Sequence, residues 1–319
     1  MGWFGRGRQE RPDGGAGPRR PDDSPDATVP FLSEADGAEV RSLAQRAFAA
    51  AGVDVVIHDD HFRATDGRMY GLWNLAASCH NAPGGRREWP TVVERHVRAL
   101  LAPTAEPEDL AHEEFLARTF LRVYGQGALP MDGENLSYAR PVADDLIEAL
   151  ALDFPESVTT LRDQDVARFD LEELRRAGLE HLLREPVEEI ETVDLRDGAS
   201  FQVVFGESVY TASRILAMRD LLTRVYGERE YPDGVLVTVA HRHQIALHPL
   251  DGPEVVPVIN ALAGFAKNGF DEAPGGISPH LYWWHGGVLT RISRVDQDGG
   301  IGIEVRPELA EALERVTSR

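Results

Sequence analysis

Short β-rich runs separated by only a few turn-forming residues constrain this chain most. Residues 189–195 and 200–205 flank Arg196-Asp197-Gly198, and an Asp-Gly step is a strong hairpin signal. Residues 281–285 and 288–295 flank Gly286-Gly287, while 53–58 and 61–65 flank Asp59-Asp60. A further strand pair is read at 235–240 and 244–248, with one more strand at 301–305. Neither half of the chain shows the regular strand–helix alternation of a parallel sheet, so the expected fold class is α+β, antiparallel hairpins packed with helices.

The helices follow from apolar spacing and end signals. Ser33-Glu-Ala-Asp36 opens one whose face carries Val40, Leu43, Ala44, Ala47, Phe48 and Ala51, and Gly52 stops it. A short helix is expected at 72–79, and one at 89–102 carries Trp89, Val92, Val93, His96, Val97, Leu100 and Leu101 on its buried stripe. Asp170-Leu-Glu-Glu173 caps a helix running to about residue 184. Ser208 is placed at the cap of the next, with stripe Ile215, Met218, Leu222 and Val225. Helices at 254–267 and 307–316 complete the set, the last with proline at its first turn. Between them, 115–124 and 146–152 read as strand-like and 125–145 as a loop. Helix–hairpin–helix units thus recur at 38–102 and 170–226. The organisation expected is a disordered tail at 1–30, rich in Pro, Gly, Arg and Asp, then α+β parts at 31–160 and 161–319.

Charge restricts the partners. There are 33 basic against 53 acidic side chains, a net of −20, and such a surface repels phosphate backbones unless a basic face is concealed. Nucleic-acid binding is therefore not expected. The single cysteine excludes an intramolecular disulfide and a multi-thiolate zinc site. No apolar run is long enough for a membrane span, and no apolar segment follows the early arginines as a secretory signal would require. The expected location is cytoplasmic, with no cofactor.

Three segments in the second half of the chain occur in a recognisable order: Arg168-Phe-Asp-Leu-Glu-Glu-Leu-Arg-Arg-Ala177, Tyr210-Thr-Ala-Ser-Arg-Ile-Leu216 and Val235-Leu-Val-Thr-Val-Ala-His-Arg-His243. Residues 168–250 resemble the YtpQ-like family of uncharacterised bacterial proteins, a domain of unknown function. The resemblance implies no activity. Where that family's pattern has a proline and an acid around its histidine, this chain has Ala240 and His243.

Two clusters carry candidate chemistry. His241-Arg242-His243, placed at a hairpin turn, could hold a metal ion or move a proton, or simply decorate the turn. Trp283-Trp284-His285 lies on a strand, where consecutive residues face opposite sides. One tryptophan should therefore be buried and its neighbour should be at least partly exposed, a candidate binding patch. Cys79-His80 invites a thiol–imidazole reading, but adjacent helical residues diverge by about 100° and rarely make that contact. No nucleophile–base pair or phosphate loop stands out. The expected function is a non-enzymatic binding or accessory protein with a protein partner. The alternative is a histidine-dependent hydrolase or metal enzyme centred on His241 and His243.

Overall fold

The computed structural model describes residues 24–65, 67–101, 107–128, 135–154, 157–196, 198–296 and 298–318, and the chain divides into two units, 1–102 and 103–319. In the first unit, Ser33 caps α1 (Glu34–Ala50), its hydroxyl accepting from the Asp36 amide at 3.1 Å. Strands β1 (Val55–Ile57), β2 (His61–Ala64) and β3 (Met69–Gly71) form an antiparallel sheet in that order. Helices α2 (Trp73–His80) and α3 (Trp89–Leu101) come next. Phe48 of α1 meets Phe62 and Tyr70 of the sheet at ring distances of 5.6 and 4.9 Å, within a core that includes Leu75 and Val97.

Packing in this unit starts before the expected tail ends. Val29 is fully buried, and the Asp26 carboxylate accepts from the amides of Thr28 and Val29 and pairs with Arg41 at 2.6 Å. Residues 24–30 therefore belong to the first unit, because they bring both apolar burial and a paired charge. The remainder of the expected tail, 1–23, lies outside the described residues.

The second unit begins with α4 (His112–Arg118), which passes directly into β4 (Thr119–Gly125). Strand β6 (Leu146–Phe154) pairs with β4 on one side and with β5 (Arg140–Ala143) and β7 (Ser157–Thr160) on the other. After α5 (Asp163–Val166), α6 (Leu171–Arg184) starts at Asp170, whose carboxylate accepts from the Glu173 amide at 2.9 Å. Strands β8 (Glu189–Asp194) and β9 (Ser200–Phe205) form the expected hairpin. A 3-10 turn, Ala212–Ala217, then leads into α7 (Met218–Tyr226). Next come β10 (Val235–Thr238), β11 (Gln244–Pro249), α8 (Val255–Glu272), β12 (Leu281–His285) and β13 (Val288–Arg291). A small hairpin of β14 (Ser293–Val295) and β15 (Ile301–Ile303) precedes α9 (Pro307–Thr317).

The larger sheet is antiparallel with strand order β13-β12-β10-β11-β9-β8. Both of its faces are covered. Leu236, Ala246, Leu281 and Trp283 pack with Leu262 of α8 and Leu309 of α9. On the other face, Val204, Val237 and Tyr282 pack with Ile215 and Leu221. This is the expected α+β class, built from antiparallel hairpins. No helix among the described residues is long and apolar enough to cross a membrane.

The division of the chain differs from the expected break at 160/161. Leu121, Leu150 and Leu152 of the smaller sheet share one core with Leu174 and Leu182 of α6, so 119–160 belongs to the second unit. The helix expected from a Ser208 cap begins only at Met218, after the 3-10 turn. Three other local readings also shift. The strand-like stretch 115–124 is helical up to Arg118, the expected loop 125–145 contains β5, and 288–295 divides into strands of two sheets.

Candidate functional site

Alternation along β4 sends Leu121 and Val123 into apolar cores and leaves Phe120, Arg122 and Tyr124 on the opposite face. Phe120 stacks on Tyr210 at 4.2 Å with planes 15° apart. The Arg122 guanidinium sits 4.9 Å from the Tyr124 ring centre and 5.9 Å from that of Tyr210, within cation–π range. Both rings are held at their hydroxyls. That of Tyr210 donates to Asp153 Oδ1 at 3.2 Å, and that of Tyr124 lies 2.8 Å from Thr160 Oγ1. Burial holds the Asp153 carboxyl above its ordinary range, although the Tyr210 hydroxyl and the charges of Arg118 and Arg122 pull the other way.

The turn between β10 and β11 supplies the second part, and three segments pin it. The Arg242 amide donates to the Gly275 carbonyl at 3.0 Å, and the Arg242 carbonyl accepts from the Ala212 amide at 3.1 Å. The His243 carbonyl accepts from the Gly206 amide at 3.1 Å. Gly275 has φ of +73°, and a Cβ there would come within 2.7 Å of the Arg242 side chain. The position therefore needs glycine twice over, for its backbone and for the space.

Hydrogen bonds assign the protons on the two histidines. Arg242 Nε donates to His243 Nε2 at 2.9 Å, and His243 Nδ1 faces the Gly206 carbonyl at 3.2 Å, so the proton is on Nδ1. The His243 amide donates to His241 Nδ1 at 3.3 Å, which places the His241 proton on Nε2. Burial and the neighbouring ring push His241 down to about 4, and burial with the Arg242 charge does the same to His243. Both rings are therefore neutral at pH 7, and their lone pairs are already engaged by N–H donors.

Arg242 is itself depressed, by burial first and then by the charge of Arg122. Neither guanidinium forms an ion pair with a carboxylate among the described residues. Two half-buried cations thus lie within electrostatic range of each other, Arg122 against the Tyr124 and Tyr210 rings on its strand and Arg242 on the pinned turn. Such a pair is relieved by an oxoanion, for which guanidinium geometry is well matched. The arrangement can bind and orient an anion.

His241 and His243 lie together at this turn, with ring centres 6.3 Å apart. Trp283, Trp284 and His285 lie elsewhere, since Trp283 and Trp284 pair with Leu236 and Val235 at the far end of β10. Trp283 is buried, donates from Nε1 to the Asp233 carbonyl at 3.0 Å and is stacked by His285 at 4.7 Å. Trp284 is half-buried and packs against the core on the other face. Cys79 is buried, and burial alone pushes its thiol up to about 12.

Arg122, Tyr124, Tyr210 and Asp153 were not among the sequence candidates. One signal was available: Phe120-x-Arg122-x-Tyr124 places a charge between two aromatics on one strand face. Nothing in the sequence brings that strand to residue 242. Among the described residues no three His, Cys, Asp or Glu side chains converge as metal ligands. Comparisons with protein-family models, curated proteins and solved structures found no match for this chain.

Proposed function

We propose that this chain is a non-enzymatic, cytoplasmic binding protein whose second unit captures a carboxylate or phosphate presented by a protein partner, at Arg122 and Arg242. The observation that carries this reading is the pair of half-buried guanidiniums, mutually repelling and neither in an ion pair with a carboxylate among the described residues. On a chain of net charge −20 such a pair of cations selects a single anionic group, while a polyanion such as nucleic acid meets repulsion around it. The resemblance of residues 168–250 to YtpQ-like proteins is part of the same reading and adds no activity to it.

The rival, a hydrolase or metal enzyme at His241 and His243, is less well supported, because both rings already accept hydrogen bonds through the nitrogens a metal or substrate proton would need. Titration with inorganic phosphate, followed by backbone amide shifts, tests the proposal. Saturable shifts at 122, 206 and 242 are expected, weakened about tenfold by Arg122→Gln. Stoichiometric zinc, iron or manganese in protein purified without chelator, lost in a His241→Ala/His243→Ala variant, would overturn it in favour of the metal enzyme.

A further inference from the structure

At the other end of β11 a cavity of about 360 Å³ opens between the β8–β9 turn, the end of α7 and the start of α8. Its size falls in the range of small-ligand sites, ~300–1,000 Å³. His248 lines it and is only 6 % exposed. The Ser200 carbonyl hydrogen-bonds the ring, yet Nε2 is buried and has no protein partner. A ring that donates through one nitrogen offers a lone pair at the other, so the ligand it suits brings an N–H or O–H donor. A buried acceptor left unpaired costs about 1–3 kcal/mol, which is why such groups point to a partner.

The charges around the cavity choose between donors. Burial holds the His248 ring below its ordinary value and so neutral, although Asp251 and Glu254, both in the lining, pull the other way. Arg229, also in the lining, is committed to Asp251 at 2.6 Å. Glu254 forms no ion pair among the described residues, so its exposed carboxylate is free to meet a cation at the cavity. Tyr226 is turned away from ligand duty, its hydroxyl donating to the Leu247 carbonyl at 3.0 Å.

We propose that this cavity is a second binding site, for the primary ammonium group of a small amine, with His248 Nε2 accepting one N–H and Glu254 supplying the counter-charge. It is independent of the arginine site, which takes the opposite charge at the opposite end of the same strand. The test uses the full chain with its histidines nitrogen-15 labelled, titrated at pH 7.5 (roughly one unit above the ordinary histidine value) with n-butylamine and, separately, with butyrate. Butylamine should move the His248 Nε2 resonance saturably and butyrate should not. Glu254→Gln should weaken butylamine about tenfold, the loss of one charge-assisted partner. A Nε2 resonance that ignores butylamine in the wild-type chain, or butyrate binding as tightly as butylamine, would overturn the assignment.

Discussion

Arg41 and Asp26 show how one charged pair fixes the start of a fold. The Arg41 guanidinium and two backbone amides hold the Asp26 carboxyl down at about 2, against an ordinary 3.8. A carboxylate with a depressed folded value contributes stability above its unfolded value and loses it as pH falls through the folded one, here from about 3.8 to about 2. The contribution at pH 7 is about 2 kcal/mol. Arg41→Met should lower the first unit's denaturant midpoint at pH 7 and make much less difference near pH 2. Histidines 241 and 243 act in a higher window. Their folded values near 4 lie below the ordinary 6.5, so the unfolded chain takes up protons first as pH drops. Stability is full above 6.5 and declines towards 4, and Arg122 and Arg242 beside His243 steepen the loss by opposing its charge. A His241→Gln/His243→Gln variant should show a flatter thermal midpoint between those limits, measured by circular dichroism.

Among the elements, α6 against β4 sets two effects in competition at Gly178. Replacing a mid-helix glycine by alanine ordinarily gains up to about 1 kcal/mol. Here an added Cβ would lie 2.7 Å from the Leu121 amide nitrogen and 2.9 Å from the Phe120 carbonyl carbon, both backbone atoms that cannot swing aside. Gly178→Ala should therefore destabilise the second unit, and a higher denaturant midpoint would contradict this packing. Trp283→Ala should cost more, about 3–5 kcal/mol, because it empties a buried site and removes the Nε1 hydrogen bond to the Asp233 carbonyl. These elements also mark what was legible in the sequence. Hairpins with Asp-Gly or Gly-Gly turns and helices with Ser33 or Asp170 caps declared themselves, because their signals are local. Strands β5 and β7 did not, since both are held mainly by pairing with β6. The arginine site fared likewise. Its histidine turn was visible as a dense local run, but Arg122 is 120 positions before Arg242 (242 minus 122), and only the fold joins them.

At the scale of the molecule, the cores assign stability to separate units. One is drawn wholly from residues between Val29 and Leu101, and the others lie between Leu110 and Val316. Unfolding followed by calorimetry should resolve two transitions, with Phe48→Ala shifting only one. Cys79 offers an independent view of that one. It is the chain's single cysteine and lies in the first unit, with no exposed surface and a thiol pushed up to about 12. Since the thiolate is the reactive form, the native site is silent to disulfide reagents. Modification can then proceed only through molecules in which residues 24–101 have opened. With enough reagent to outpace reclosing, modification is a clock that runs at the opening frequency of one unit, and with dilute reagent it reports the population of the open form.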